Sequence, residues 1–357
     1  MSNAEEHQAF VEQALSAYRA DESPDESLVL ADYFTERGDM RSAASALDRA
    51  YGLNPDDQTV AERRQAILDE LEVIEHGIRF RYVPAGTFLM GSEVGDHDEK
   101  PVHPVRTDEY WVSETTVTWS TYCEVCNLKS PTEMTYEDFD PGHAERFSHS
   151  MAWGWKENQL LQDEPEKFEL NVIEPHKPFR CTVDAEKYPK RGLDCDTKPM
   201  VGLDQEQLNR FFNHLSTPGV TYQLPTEKHW EKAARGGRIG HKYPWGNSPP
   251  NSANCDWSNL AGNDIKHSKT FAPNGYGLYA MSGSVWEWTS ERYDKKSYSN
   301  VGASKRQKRK GEPLFRGGSW ADCAEALTVS FRMSASSAQT RSPTFGFRIF
   351  RSNLPLE

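Results

Sequence analysis

The chain has 357 residues and a formal net charge of −13 at pH 7. This length suits one large domain with an appendage, and hydrophobic residues at 36%, with aromatic residues at 11%, supply ample core material. The negative charge disfavours binding to nucleic acid and to anionic membranes. The local exception is the basic run KRQKRK at residues 305–310, which we interpret as a solvated loop rather than a contact for an anionic partner.

The first ten residues, MSNAEEHQAF, contain no basic stretch followed by an apolar one, and no run of about 18 apolar residues occurs in the sequence. The sequence thus carries no signal for export or membrane insertion, and we expect a cytoplasmic protein without membrane partners. Six cysteines are too few for a disulfide scaffold at this length. A reducing compartment would keep most of them as thiols.

Residues 1–77 are predicted to form a small all-α segment. Apolar residues at positions 28–55 follow the spacing of one tetratricopeptide-like helical hairpin, and partial helices are expected at 7–20 and 58–75. A helical solenoid usually needs about three such units to stand alone. We therefore expect these helices to pack on the larger domain or on a protein partner. A helical cap without a ligand and a partner-binding element both remain open.

Residues 78–357 are predicted to form a second, α+β domain. It begins with FRYVPAGTFLMGS, whose alternating apolar residues flank a turn at 84–86 and predict a hairpin. A strand over 103–112 should follow, and then a helix that begins after Thr116–Thr118. These elements open the domain.

The middle of this domain is expected to be irregular. Residues 129–197 are rich in proline and poor in periodic runs, which favours a long excursion over the domain surface. Helices are predicted at 204–215 and at 226–235, the second with Thr226 as its N-cap. Trp230 in that helix is interpreted as a core residue.

Glycines alternate with aromatic residues in NGYGLYAMSGSVWEWTSERYD at 274–294 and again in FRGGSW at 315–320. Such spacing suits tightly turned backbone packed under large rings. With LPTEKHWEKAARGG at 224–237 and YPWGN at 243–247, and with FRMSASS and FGFRIFRS near the chain end, these segments resemble the formylglycine-generating enzyme family, also called the sulfatase-modifying factor family. The resemblance covers roughly residues 80–352. It implies a C-type-lectin-like fold with little regular secondary structure.

The resemblance also bears on copper chemistry. Copper-dependent members carry two cysteines, two and seven residues beyond the aromatic residue that follows the RGGS motif. In this chain those positions hold Asp322 and Leu327, and Cys323 lies one residue from the first. Cu(I) is held tightly by soft thiolate pairs, so we expect neither copper nor formylglycine synthesis by that mechanism. Ser319 matches the family's active-site serine, and we interpret it as a structural hydroxyl.

Iron and zinc are two further candidate metals for this chain. Other branches of the family use non-haem iron, bound mostly by histidines of a separate helical bundle. Here the histidines are scattered, so an iron site would require folding to bring them together. Cys123 and Cys126 form a CxxC on a predicted helix, and with Cys181 and Cys195 they could hold zinc. Buried free thiols are the favoured interpretation.

Structural calcium is implied by the resemblance in two loops, since Ca²⁺ prefers carboxylate and carbonyl oxygens. The implied ligands of the first loop are Asn254, the carbonyl of Cys255, Asp264 and the carbonyl of Lys266. Those of the second are the carbonyls of Ser282, Gly283 and Val285 with the carboxylate of Glu287. Glu287 has an alternative role, as a carboxylate that caps nearby backbone amides.

Two functions, besides a purely structural role, remain in view. The first is a peptide- or ligand-binding module with a protein-interaction helical segment. The second is an atypical oxidoreductase of the family that depends on non-haem iron. The thiol pair is missing while the aromatic motifs remain, so we expect the binding module. Its expected groove is formed by Arg316, Ser319, Trp320, Asp322, Cys323 and Arg332.

Overall fold

The computed structural model describes residues 23–128, 196–257, 265–299, 311–337, 340, 342 and 344–353. The helix expected at 7–20, the basic run at 305–310 and all but the last two residues of the 129–197 excursion lie outside this part of the chain. So do Cys181, Cys195 and Asp264. No helix in the described ranges is both long enough and apolar enough to cross a bilayer.

Short helices and strands are joined by glycine-rich loops. The helices are α1 (Pro24–Glu36), α2 (Met40–Leu53), α3 (Gln58–Glu70), α4 (Trp119–Val125), α5 (Gln205–His214) and α6 (Glu227–Arg235). The strands are β1 (Val73–Glu75), β2 (Ile78–Val83), β3 (Gly86–Met90), β4 (His103–Thr107), β5 (Tyr110–Ser113), β6 (Thr221–Gln223), β7 (Trp286–Arg292), β8 (Pro313–Arg316), β9 (Met333–Ser334), β10 (Phe345–Gly346) and β11 (Phe350–Ser352). The mixture of short helices and short strands agrees with the expected α+β class.

The strands form three sheets in the described part of the chain. Their orders are β1-β2-β5-β11-β6, β10-β7-β8-β9 and β3-β4. One main hydrophobic core joins the two larger sheets, and its largest fully buried aromatic side chains include Phe80, Trp119, Trp230 and Trp288. Burial of such rings is the main source of stability in a fold with so little regular structure.

The strand predictions at the start of the domain were partly wrong. The hairpin expected around residues 84–86 does not form, because β2 pairs with β1 and β5 whereas β3 pairs with β4. The strand expected over 103–112 is divided between β4 in the two-stranded sheet and β5 in the five-stranded sheet. Alternating apolar residues identify a strand but not its neighbour, and here the turn carries the chain from one sheet to another.

Helix α6 was predicted correctly and lies at the centre of the domain. Thr226 is its N-cap residue, and Gly236 ends it with a left-handed φ of 61°, a conformation that glycine adopts without steric cost. Trp230 on this helix is fully buried, as expected. The predicted helix at 204–215 corresponds to α5.

The N-terminal helices share a core and a sheet with the larger domain. Ala44 on α2 and Leu68 on α3 belong to the main hydrophobic core. Strand β1 follows α3 and pairs with β2, with Val73 opposite Phe80. The predicted boundary at 77–78 therefore falls between two paired strands. The expected helical hairpin corresponds to α1 and α2, and its tetratricopeptide-like character stays a prediction.

Candidate ligand-binding site

A buried network of ion pairs surrounds α6. Glu231 is paired with Arg235, whose Nη2 lies 2.6 Å from Oε1, and with Arg316. Glu227 accepts hydrogen bonds from Arg332, with Nη2–Oε2 at 3.1 Å. Buried charges of this kind are tolerated when they are paired and fully hydrogen-bonded. The network holds the loops after β8 against α6.

The six residues expected to form a groove do not do so together. Four of them are buried, namely Arg316, Ser319, Trp320 and Arg332, while Asp322 is half-buried and Cys323 is exposed. The two arginines are buried because their charges are neutralised by Glu227 and Glu231.

Ser319 is held in a hydrogen-bonded turn. Its hydroxyl donates to the carboxylate of Asp322, its backbone amide donates to the same carboxylate at 3.0 Å, and its Oγ accepts from the amide of Ala321 at 3.2 Å. These bonds fix the turn after β8. Leu327, which the resemblance assigns to the position of the second copper ligand, is fully buried.

A cavity of about 370 Å³ lies beside this turn. Three stretches of chain and one helix residue line it: residues 91–99, residues 240–243, residues 324–331 and Arg235 on α6. None of the six expected groove residues is part of this lining. A cavity of this size, with several converging polar groups, is typical of a ligand-binding site.

Glu99 is the most unusual residue of the cavity. Its side chain is buried, with 2% exposure, and its Oε1 accepts a hydrogen bond from the amide of Asp96 at 2.9 Å. Its second oxygen, Oε2, has no hydrogen-bond partner among the described residues. Burial raises the pKa of Glu99, and the Ser330 hydroxyl and the Asp96 amide oppose this effect only in part.

Gly95 allows the Glu99 carboxyl to take this position. A methyl group added to Gly95 would lie 2.2 Å from Glu99 Oε2, far closer than van der Waals contact. The loop is held by Ser92, whose Oγ accepts from the amides of Val94 and Gly95. The glycine is needed here for space rather than for an unusual backbone angle.

Acidic groups outnumber basic ones on the cavity lining. The carboxylic residues are Glu93, Asp96, Glu99 and Glu325, and the side chains that carry a fixed positive charge are Arg235 and Lys242. The charge of Arg235 is already paired with Glu231 behind the cavity wall. The cavity is consequently negative when its carboxyl groups are ionised.

The second expected calcium loop contains a paired carboxylate. Glu287 is buried, and it accepts hydrogen bonds from Arg348, with Nη2–Oε1 at 3.0 Å, and from the indole of Trp230 at 2.7 Å. The guanidinium neutralises Glu287 and disfavours a second cation on this side chain. The hydrogen bonds found for Glu287 come from the side chains of Trp230 and Arg348, not from the backbone amides that the alternative role expects.

The first expected calcium loop is only partly described. Asn254 Oδ1 accepts from the amide of Asn251 at 2.8 Å, and the amide of Lys266 donates to Asp256 at 3.0 Å. Asp256 is a buried carboxylate that was not among the calcium ligands expected from the sequence. Its carbonyl accepts from the amide of Ser284, which links the two loops. Calcium at either loop stays a prediction.

The CxxC thiols lie at the end of α4. Cys123 is buried and Cys126 is half-buried. Burial raises the pKa of Cys126 to about 11, which disfavours the thiolate that binds metals. Within the described ranges, no three His, Cys, Asp or Glu side chains are grouped so that they could hold an ion.

The cavity residues were not predicted from the sequence. Asp96 and Glu99 form a capping box on the short 3₁₀ turn His97–Glu99, and this spacing was visible in the sequence. A capping box, however, predicts only a helix start. The approach of residues 240–243 and 324–331 to this turn depends on the tertiary fold.

The fold and the site together define an irregular α+β domain in which buried arginine–carboxylate pairs hold glycine-rich loops around one helix. Residues 76–353 match the family described as the sulfatase-modifying factor enzyme 1-like domain, and this chain belongs to that family.

Relatives and solved structures agree with this assignment. The chain is 27% identical over 282 residues to the formylglycine-generating enzyme of Thermomonospora curvata, across 72% of this chain and 87% of that protein. It is 36% identical over 141 residues to the inactive C-alpha-formylglycine-generating enzyme 2 of Bos taurus, across 35% of this chain and 42% of that protein. The structure of PvdO from Pseudomonas aeruginosa shares the fold, with a TM-score of 0.52 at 20% identity, across 78% of this chain and 97% of PvdO.

Proposed function

We propose that this chain is a binding member of its family, which holds a peptide segment with one side chain in the cavity lined by Glu99. The single observation that carries the proposal is that cavity, about 370 Å³ in volume, with a buried carboxyl oxygen that no described residue satisfies. Buried polar groups are rarely left without a partner unless a ligand or another group completes them.

The residues at the copper positions support binding rather than copper catalysis. Asp322 is engaged with Ser319, and Leu327 is buried in a small apolar cluster with Tyr243 and Cys255. Neither side chain offers the soft thiolate that Cu(I) requires. One of the relatives is itself described as inactive, so the scaffold also occurs without formylglycine-generating activity.

The cavity lies where a peptide could reach it. Its wall includes residues 324–331, which directly follow the turn that holds Ser319. Tyr243 lines the cavity and stacks on Trp245, with ring centroids 5.0 Å apart. Aromatic rings at the edge of a polar cavity provide contact area for a bound chain.

Selection from a random peptide library displayed on phage tests the proposal. Ala324 lines the cavity, so Ala324→Trp should fill it, whereas Ala253→Trp places the same ring on an exposed loop outside the lining. We expect peptides enriched on the natural protein to lose binding to Ala324→Trp and to keep binding to Ala253→Trp. Enriched peptides that bind both variants equally would show that the cavity is not the binding site.

The oxidoreductase alternative is tested by metal analysis. Protein purified without oxygen should contain no stoichiometric iron or copper if the binding function is correct. Bound iron at one ion per chain would favour the enzyme instead.

A further inference from the structure

We propose that the cavity binds a primary ammonium group, such as a lysine side chain or another alkylamine, and that Glu99 is the carboxylate that receives it. This inference rests on the proposed binding function and names the chemical class of the ligand. The two carboxyl oxygens of Glu99 have different surroundings. Oε1 accepts from the amide of Asp96, whereas Oε2 has no partner in the described part of the chain.

An ammonium group suits one buried oxygen that has no partner better than a guanidinium does. The planar fork of a guanidinium binds a carboxylate best through two parallel hydrogen bonds, which need both oxygens. Glu99 offers only Oε2 for a ligand, because Oε1 is used within the capping box. A compact ammonium has three donors that can reach Oε2 and neighbouring oxygens separately. The hydroxyl of Ser330 also lines the cavity and lies beside this carboxyl.

The charges of the lining favour a cation over an anion. Arg235 is unavailable to an anion, since its guanidinium bonds Glu231 and the carbonyl of Gly91 at 2.8 Å. Lys242 is the other fixed positive charge on the lining. Opposing it are four carboxylic residues, so a cation gains more than an anion once Glu99 ionises. Phe331 and Tyr243 supply apolar surface for the methylene stem of an alkylamine.

Entry of the cation should release a proton from Glu99. Several charged or titratable groups face this carboxyl from the elements around it: Glu93 and Asp96 on its own loop, Glu231 and Arg235 on α6, Arg316 on β8, and His241, Lys242 and Glu325 across the cavity. With no ligand, burial raises the pKa of this carboxyl. An ammonium at Oε2 favours the carboxylate, so the proton passes to water as the ligand binds. Affinity should therefore rise with pH until Glu99 is ionised in the empty protein.

Titration calorimetry on the full chain tests this inference with three small probes. They are the Nα-acetyl amides of lysine, norleucine and arginine, which share a backbone and differ in the side-chain group. We expect the lysine amide to bind at least about tenfold more tightly than the norleucine amide, as for a hydrogen bond to a charged group, and more tightly than the arginine amide. Its affinity should increase with pH, with release of a proton.

Two cavity variants and one remote variant complete the test. Glu99→Gln should reduce the affinity for the lysine amide by about tenfold and remove its pH dependence, without affecting the norleucine amide. Gly95→Ala should act in the same direction, because its methyl group meets the flexible end of Glu99. Glu206→Gln, at an exposed position of α5 outside the cavity lining, should change nothing.

The outcomes separate this inference from the proposed function. If the norleucine amide binds as tightly as the lysine amide and binding is lost in Ala324→Trp, the cavity binds ligands but not through an ammonium. If the lysine amide binds and Glu99→Gln leaves its affinity and pH dependence unchanged, Glu99 is not the receiving group. Failure of all three probes to bind would also overturn the inference, and the peptide selection would then decide the proposed function by itself.

Discussion

Arg64 and Asp48 form a buried ion pair, with Nη2 of Arg64 2.6 Å from Oδ1 of Asp48. The same guanidinium donates to the carbonyl of Gly275 in the larger domain at 2.6 Å. Asp48 in turn accepts from the hydroxyl of Tyr276 at 2.9 Å. This cluster, formed by α2, α3 and the glycine-rich loop, fixes the N-terminal helices on the domain.

Replacement of Arg64 should be costly because it leaves Asp48 without its counter-charge. We expect Arg64→Met to lower the free energy of unfolding by about 3–5 kcal/mol, as when one partner of a buried ion pair is removed. The neighbouring Arg63 pairs with Asp32 at the exposed surface, so Arg63→Met should cost less than about 1 kcal/mol. Urea denaturation of the two variants measures the difference. Equal losses would mean that the Arg64 pair does not hold the helices.

Truncation tests how far the helices are separable. The sequence alone predicts that removal of residues 1–76 leaves a soluble domain with a modest loss of stability. The structure predicts a larger loss, because β1 leaves the five-stranded sheet and Arg351 loses Glu75, which lies 2.8 Å away. Removal of residues 1–22 should keep these contacts. If the chain without residues 1–76 melts cooperatively at a temperature close to that of the full chain, the N-terminal segment is separable as the sequence predicts.

Formylglycine should not be formed by this protein. The positions that the resemblance assigns to the copper ligands hold Asp322 and the buried Leu327, neither of which supplies a thiolate. Incubation with copper, oxygen and a cysteine-containing sulfatase-type peptide should leave the peptide mass unchanged. The enzyme from Thermomonospora curvata serves as the positive control. A loss of sulfur from the peptide, detected by mass spectrometry with this chain alone, would refute the prediction.

Glu287 distinguishes calcium binding from a role in ion pairing. Glu287→Gln removes the charge that neutralises the buried Arg348 and should lower the free energy of unfolding by about 3–5 kcal/mol. If Arg348 is the functional partner, the loss should be the same in calcium and in a calcium chelator. Calcium bound only to the native state would stabilise the natural protein. Thermal melting measures this effect. Glu287 is supported as a calcium ligand only if calcium raises the melting temperature of the natural protein and does not raise that of Glu287→Gln.

His229 should weaken the protein in acid. Burial, followed by the charges of Lys228 and Lys232, lowers the pKa of His229 to about 3. The unfolded chain binds a proton near pH 6.5 and the native chain does not, so acid favours unfolding. Between about pH 6 and pH 3 this residue should reduce the free energy of unfolding by about 1.4 kcal/mol per pH unit. Asp and Glu residues also contribute to acid unfolding, so the slope must be compared with that of a variant that lacks His229.

The matched variant for this test is His229→Gln, which stays neutral over the whole range. Its free energy of unfolding should fall less steeply with acid than that of the natural protein. Denaturation at several pH values measures both slopes. Identical slopes would show that His229 takes up its proton in the native state.

Local sequence was sufficient for the elements that depend on near neighbours. Thr226 begins α6 and Gly236 ends it, because capping and left-handed backbone depend on residue type within a few positions. Trp230 is buried as predicted, since the same helix presents it to the core. The family motifs, and the presence of residues other than cysteine at positions 322 and 327, could also be read directly from the sequence.

Tertiary structure alone decided the partners of strands and charges. β2 and β3 are separated by a short turn but belong to different sheets, because each strand is satisfied by a neighbour distant in sequence. Arg316 and Arg332 were expected in a groove and instead neutralise Glu227 and Glu231. Glu99 became a candidate site only when burial left one of its oxygens without a partner among the described residues. The cost of burying a charge depends on what folding places around it, and no local pattern in the chain contains that information.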